Sequence, residues 1–163
     1  MNKKLDETPV VVIFSFGSKG TKGNKLLAVA GAKETNGVVI TQRDISKMQG
    51  ASFWHYVEDF KSESGWHSTL WVATSAMEIC KCREYPQKAI VIAAPMHLKR
   101  CARDLRKVGF EVMKMVSPKL ESGSWYEKKS LLPWTRSWWR WWTREVAIRL
   151  LPWPIYKQLL KNK

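Results

Sequence analysis

Short hydrophobic runs without polar alternation mark the positions of the predicted strands. Residues 9–14, 38–41 and 89–94 are rich in Val and Ile and are too short for helices. Runs of this kind are typical of strands that are covered on both faces, as in a parallel sheet. Residues 110–115 supply a further strand, whereas residues 53–60 are ambiguous between helix and strand.

Helical segments with one apolar side alternate with these strands. They span residues 25–33, residues 69–83 and the stretch from residue 96 to Gly109. The β-α-β-α order favours a parallel sheet with helices on both faces. The predicted fold class is therefore α/β, a three-layer Rossmann-like fold with a mostly parallel sheet. The predicted helix caps are Asn24 for the first helix, Ser68 or Thr69 for the second, and Gly109 at the end of the third.

The last part of the chain differs from the rest in composition. Residues 119–163 carry ten Lys and Arg against three acidic residues, which is half of the net charge of +14. We therefore predict two parts, a Rossmann-like core over residues 1–118 and a linker with a basic, Trp-rich helical segment over residues 119–163. Pro133 is suited to the start of an amphipathic helix and Pro152 to its end.

The predicted C-terminal helix has two chemically different sides. One side carries Trp134, Trp138, Trp141 and Ile148, and the other carries Arg136, Arg140 and Arg144. Three interpretations stay open. The helix packs on the core through its Trp side, it lies in a membrane interface, or, less favoured, it binds nucleic acid with Arg on phosphates and Trp stacked on bases.

The net charge and the cysteines limit the kinds of partner and site that the sequence allows. A net charge of +14 indicates attraction to an anionic partner, such as nucleic acid, a phosphorylated ligand or an acidic membrane surface. Cys80 and Cys82 are too close for the usual zinc pair, and with Cys101 the simplest interpretation is three small core residues in a reducing compartment. No metal site is predicted, since the three His are scattered.

The predicted location is cytoplasmic. No apolar run approaches the roughly 20 residues of a spanning helix. The N-terminal nine residues are charged and lack the apolar core of a signal peptide. Peripheral contact with the inner face of a membrane, through the C-terminal helix, is an additional prediction.

A candidate site follows the strand at residues 89–94. Open α/β sheets bind ligands beyond the carboxyl ends of their strands. His97 and Arg100 lie there, about one helical turn apart, so they can face the same space. After the first strand, residues 15–23 form a cationic, Gly-containing loop that matches neither common nucleotide-binding pattern. It is either an anion cradle or a plain solvated loop.

Two polar positions are given structural interpretations. Asp44, beside Arg43, fits a surface turn better than a site pair. His55 lies among aromatic residues and fits packing better than catalysis. Residues 62–68 are polar and irregular.

The stretch IVIAAPMHLKRCARDLRKVGFEV resembles part of the SanA/ElyC/YdcF-like family of bacterial proteins. His97 and Arg100 fall on the family's His-x-x-Arg marker, and Gly17 stands where the family has a glycine cluster. The segment with Glu58, Ser64 and Thr69 is similar to the family's Glu…Ser…Thr segment. The resemblance covers roughly residues 8–150, and it implies a Rossmann-like domain of largely unknown function, with a link to the bacterial envelope. Glu145 is similar to the acidic position in the family's C-terminal helix.

The predicted site combines these segments at one edge of the sheet. His97 is the candidate catalytic acid or base, with a structural role in the turn as the alternative. Arg100 can hold a phosphate or carboxylate through two hydrogen bonds. The predicted ligand-binding residues are Gly17, Ser18, Thr41, Glu58, Thr69, His97 and Arg100.

Two functions are predicted from different classes. In the first, the protein binds an anionic small molecule that contains a phosphate or nucleotide. In the second, the domain is an inactive scaffold, and the Trp-rich C-terminal helix binds a membrane surface or an anionic partner. The sequence leaves catalysis, cofactor and oligomeric state open.

Overall fold

A five-stranded parallel sheet forms the centre of the molecule. The computed structural model describes residues 8–34, 37–59, 68–121 and 123–161. The strands pair in the order β3-β2-β1-β4-β5, and every neighbouring pair is parallel. Their bounds are β1 (Val10–Ile13), β2 (Val38–Thr41), β3 (Phe53–Tyr56), β4 (Lys88–Ile92) and β5 (Glu111–Val116).

Five α-helices accompany the sheet in the described part of the chain. Short 3₁₀ helices lie at Val57–Asp59 and Pro133–Thr135. The α-helices are α1 (Lys22–Glu34), α2 (Thr69–Cys82), α3 (Pro95–Val108), α4 (Trp138–Leu150) and α5 (Trp153–Lys161).

The sheet is buried on both faces, which explains its continuous apolar strands. In β1, Val11 and Ile13 pack with Leu27 of α1 on one face. Val10 and Val12 pack on the opposite face, in the cluster that contains the apolar residues of α2 and α3. Alternation of side chains along a strand places neighbours on opposite faces. The predicted three-layer α/β fold is confirmed, and the sheet is entirely parallel.

The predicted start of the first helix was wrong. α1 begins at Lys22, not at residue 25, and the Asn24 backbone N–H donates to Thr21 Oγ1 at 3.1 Å. Thr21 therefore caps the helix. The Asn24 side chain instead accepts a hydrogen bond from the Phe16 N–H at 2.9 Å, so it fixes the loop after β1.

The other predicted caps are confirmed. Ser68 Oγ accepts a hydrogen bond from the Trp71 N–H at 3.1 Å, which caps α2. Gly109 ends α3 with a φ of +111°, a left-handed conformation that glycine adopts without strain. The ambiguous stretch at residues 53–60 is β3 followed by a 3₁₀ helix. Residues 60–67, which include most of the predicted irregular stretch and Ser64, lie outside the described residues.

The C-terminal helix predicted between Pro133 and Pro152 is divided into two pieces, it ends before Pro152 as predicted, and a further helix follows. Trp134 lies in the 3₁₀ helix, α4 begins only at Trp138, and α5 follows Pro152. Trp134 and Trp138 therefore do not share a helix. Trp141 is 3% exposed and belongs to a buried cluster with Phe16 and Ala94, so this segment packs on the core. No helix in the described residues has the length and hydropathy to cross a membrane.

The cysteines only partly follow their predicted role as core residues. Cys80 and Cys101 are buried, whereas Cys82 is exposed, and all three are free thiols. Burial raises the pKa of Cys80 to about 12, which leaves it an inert core side chain.

Candidate functional site

A cavity of about 400 Å³ lies at the carboxyl edge of the sheet. It lies beyond the ends of the adjacent strands β1 and β4. The helices that follow these strands, α1 and α3, pack on opposite faces of the sheet. Ligands of open α/β sheets bind at this switch in topology. The lining residues are Phe14, Ser15, Phe16, Gly17, Gln42, Asp44, Ser68, Thr69, Val72, His97, Arg100, Leu131, Leu132, Trp134, Thr135, Trp141 and Arg144.

Hydrogen bonds from α1 hold the loop after β1 in place. Gly17 has a φ of +83° and lines the cavity. The Asn24 amide joins the two ends of this turn, since it accepts from the Phe16 N–H and donates to the Ser18 carbonyl at 2.9 Å. The Phe16 N–H is therefore already satisfied. Hydrogen bonds on both sides of Gly17 therefore hold the turn in place.

The loop after β2 closes one side of the cavity. The Ser15 N–H and Oγ both donate to Gln42 Oε1, at 3.1 and 3.0 Å. Ser15 Oγ also lies 3.4 Å from Asp44 Oδ2. Asp44 lies in a turn and is partly exposed, as predicted, and it also lines the cavity. Arg43 points away and pairs with Asp59.

Three of the predicted ligand-binding residues lie outside the cavity lining. Ser18 Oγ accepts from the Leu131 N–H at 2.9 Å. Thr41 is fully buried and donates to the Ile13 carbonyl at 3.0 Å. Glu58 Oε1 accepts from the Arg43 N–H at 3.1 Å. All three residues lie near the site, as predicted. Their side chains bond to backbone groups of neighbouring segments and do not face the cavity.

The other four predicted residues meet at the cavity. Gly17 comes from the loop after β1, Thr69 from the first turn of α2, and His97 and Arg100 from the first two turns of α3. Thr69 Oγ1 lies 3.5 Å from His97 Nε2. The predicted convergence of these segments is therefore present in the structure.

His97 is held in one protonation state. Arg100 Nη2 lies 3.3 Å from His97 Nδ1, and a guanidinium only donates, so Nδ1 accepts. The proton of the neutral ring is then on Nε2, which faces the Thr69 hydroxyl. Burial, followed by the charges of Arg100 and Arg144, holds the pKa of His97 well below its usual range. At neutral pH the imidazole is an uncharged hydrogen-bond donor, with its accepting nitrogen already in use.

Arg100 lines the cavity, but its charge is already paired. Its Nη1 lies 2.9 Å from Glu145 Oε2, and both side chains are almost fully buried. Glu145 Oε1 also accepts a hydrogen bond from Arg149 Nε at 3.2 Å. The Arg100 guanidinium lies 5.2 Å from the centre of the Trp141 ring. The acidic position that the family resemblance indicated, Glu145, thus neutralises the Arg of the marker motif.

Arg144 is the cation that the sequence did not assign to the site. It was predicted on an exposed Arg stripe, but its side chain lines the cavity and stacks over Trp134 at 4.4 Å. Burial and the nearby Arg100 lower the pKa of Arg144 to about 10, so it stays charged at neutral pH. Within the described residues, no carboxylate forms an ion pair with it. The signal in the sequence was the spacing of three residues between Trp141 and Arg144, which puts both on one side of a helix.

The cavity has cationic and aromatic walls, with Arg100 and Arg144 as its cations and Asp44 as its one carboxylate among the lining residues. Aromatic rings of Phe14, Phe16, Trp134 and Trp141 supply much of its surface. The indole N–H of Trp141 is buried and has no hydrogen-bond partner among the described residues. In those same residues, no cluster of three His, Cys, Asp or Glu could hold a metal ion.

Comparison with protein-family models, curated proteins and solved structures gives no match to this chain. The resemblance to the SanA/ElyC/YdcF-like family therefore stays a prediction.

Proposed function

We propose that the protein binds a small anionic molecule, bearing a phosphate or carboxylate group, in the cavity at the carboxyl edge of the sheet. The observation that carries this proposal is Arg144, which lines the cavity, keeps its charge and has no carboxylate partner among the described residues. Arg144 is partly buried, and a charge that is partly withdrawn from water favours a counterion, which an anionic ligand would supply.

Neutral donors support the same proposal. If His97 Nε2–H donates to the Thr69 oxygen, the Thr69 hydroxyl hydrogen is free to point towards a ligand. Thr69 also lies in the first turn of α2, whose N-terminal backbone N–H groups carry partial positive charge. His97 then orients Thr69 as a donor. This positioning role replaces the predicted role of His97 as a catalytic acid or base.

The aromatic walls indicate the rest of the ligand. Small-molecule sites are mostly apolar cavities of roughly 300–1,000 Å³ with a few polar groups, and this cavity has about 400 Å³. Phe16 and Trp141 pack at 4.8 Å between ring centres and give a rigid aromatic surface. A phosphate or carboxylate joined to a planar or apolar group, as in a mononucleotide, suits this lining.

The proposal is tested by titrating the protein with inorganic phosphate, AMP and uncharged adenosine in thermal-shift and calorimetric assays. A ligand at about 100 times its Kd should stabilise the fold by about 2.7 kcal/mol. Arg144→Gln should weaken binding of the anionic probes by roughly 10–100-fold, because a hydrogen bond to a charged group contributes about 1.5–3 kcal/mol. Adenosine should be affected little.

The matched control is Arg106→Gln, which removes an exposed Arg from the last turn of α3. It should leave binding of all three probes unchanged. Equal binding of the anionic probes by the wild type and Arg144→Gln, with both proteins folded by circular dichroism, would contradict the proposal. So would the absence of any stabilisation of the wild type by phosphate or AMP.

A further inference from the structure

The outward side of α4 carries large apolar residues in contact with solvent. Their exposed fractions run from 41% for Trp142 to 78% for Leu150. Such a contiguous exposed group is unusual on a protein that has no partner. We call this group the outer face of α4, and it consists of Trp138, Trp139, Trp142, Val146 and Leu150.

Helical spacing makes the outer face continuous. Trp138, Trp142, Val146 and Leu150 are four residues apart and therefore form one ridge along the helix, with Trp139 beside it. The adjacent side of α4 is buried through Trp141 and Glu145. The helix thus buries an ion-paired carboxylate on the core and presents three indoles to solvent, the reverse of ordinary amphipathic packing.

Positive charge lies directly against these indoles. The guanidinium of Arg140 stacks over Trp139 at 5.2 Å, and that of Arg149 over Trp142 at 5.6 Å. Both Arg side chains are exposed. Arg and Trp together, with aliphatic residues between them, are typical of helices that lie in the interface of an anionic membrane.

We propose that the outer face of α4 binds the surface of an anionic lipid bilayer, with the helix parallel to the membrane plane. A helix of 13 residues is about 20 Å long, so all three Trp can reach the headgroup region together. Val146 and Leu150 favour lipid over nucleic acid, because aliphatic side chains offer no stacking surface to bases. A second copy of the chain is disfavoured as the occupant, because each copy carries a net charge of +14.

The test measures co-sedimentation of the full chain with vesicles of phosphatidylcholine alone and of phosphatidylcholine mixed with phosphatidylglycerol. The wild type should bind the mixed vesicles, and added salt should weaken binding by screening. The double variant Trp139→Gln/Trp142→Gln should lose about tenfold or more in binding. Arg140→Gln should lose about fivefold, the usual effect of one basic residue near such a surface.

The control is Phe53→Gln, which removes an exposed aromatic residue from the far edge strand β3. It should bind the mixed vesicles as the wild type does. Equal binding by the double Trp variant would overturn the proposal, and so would no binding of the wild type to mixed vesicles. Sedimentation velocity tests the remaining alternative. If the wild type forms a dimer and the double Trp variant is a monomer, the outer face of α4 binds a second copy of the chain and the proposal is overturned. Failure of this test leaves the cavity proposal unaffected, because the probes and variants differ.

Discussion

Burial, followed by the charges of Arg100 and Arg144, lowers the pKa of His97 and keeps its imidazole neutral. Arg100 donates to one nitrogen, and the other nitrogen faces the Thr69 hydroxyl. A protonated ring would place a second positive charge against Arg100 in a site that water hardly reaches. The residue that most resembles a catalytic base by sequence is therefore held uncharged, with its accepting nitrogen already in use.

This state predicts a pH dependence of stability. Because the pKa of His97 is lowered in the folded protein, the unfolded chain takes up a proton first as the pH falls below about 6.5. The contribution of His97 to stability should therefore be fully present above that pH. On acidification the free energy of unfolding should fall by up to about 1.4 kcal/mol per pH unit from this group. His97→Gln keeps a neutral donor and acceptor, and should reduce that slope in urea denaturation between about pH 7.5 and pH 5.5.

The comparison residue for this prediction is His55, which is only half-buried and lies 3.1 Å from the Tyr85 hydroxyl. Burial and the charge of Arg83 also lower the pKa of His55, so His55→Gln should reduce the pH slope, but less than His97→Gln does because His55 is less buried. An unchanged slope in His97→Gln would show that the imidazole is charged in the folded state.

The sequence placed some residues of the cavity correctly and missed others. His97 and Arg100 were placed at the cavity correctly, because a buried strand followed by a helix fixes where the first helical turn lies. Arg144 was not, because it was grouped with Arg136 and Arg140 on one side of the predicted helix. The structure places it at the cavity with Trp141, which lies one helical turn earlier.

At the scale of elements, a buried ion pair joins α3 to α4. Arg100 and Glu145 are 5% and 1% exposed, and their 2.9 Å contact spans two segments that are distant in the sequence. Local hydrophobic periodicity contains no information about such a pairing. The sequence left the packed side of α4 open, and the structure buries Trp141 and Glu145 together while Trp138 is exposed.

Replacing one partner of this ion pair should lower the free energy of unfolding more than replacing both partners. Glu145→Leu alone should cost about 3–5 kcal/mol, because it leaves the Arg100 charge buried without a carboxylate. The double variant Arg100→Met/Glu145→Leu should recover much of that loss, since apolar residues can replace a buried pair. Urea denaturation of both single variants and the double variant gives the coupling energy.

The exposed pair between Lys114 and Glu34 provides the reference for that cycle. Lys114→Met should cost less than about 1 kcal/mol, because solvent screens the pair. Strictly additive losses in the Arg100 and Glu145 variants would mean that the two charges do not depend on each other.

At the scale of the whole molecule, the C-terminal segment completes the core. Trp141 packs on Phe16, Leu131 donates to Ser18, and the Tyr156 hydroxyl donates to Asp104 Oδ2 at 2.8 Å. The predicted boundary at residue 118 falls just after the end of β5 at Val116. The segment beyond it forms one wall of the cavity.

These contacts predict a single unfolding transition for the two parts. Residues 119–163 hold seven of the ten Trp, so Trp fluorescence reports mainly on that segment, whereas far-UV circular dichroism reports on all helices. We expect the two urea midpoints to coincide, as in a two-state transition. An earlier transition in fluorescence than in circular dichroism would show that the segment detaches from a core that remains folded.

The architecture of the core was the most predictable level. Runs such as residues 9–14 and 89–94 must be covered on both faces, and their order with the helices leaves few possible sheets. The wall over the cavity was not predictable, because Trp134 and Leu131 reach it through an irregular segment whose path no periodicity describes.

One helix, α4, contributes Trp141 and Arg144 to the cavity and Trp139 and Trp142 to the opposite side. A rigid helix cannot move one of these sides without moving the other. If both proposed ligands bind, any displacement of α4 by one changes the affinity for the other. Linkage makes this influence reciprocal, with the same factor in both directions. A membrane would then act as an allosteric effector of a cavity that it does not touch.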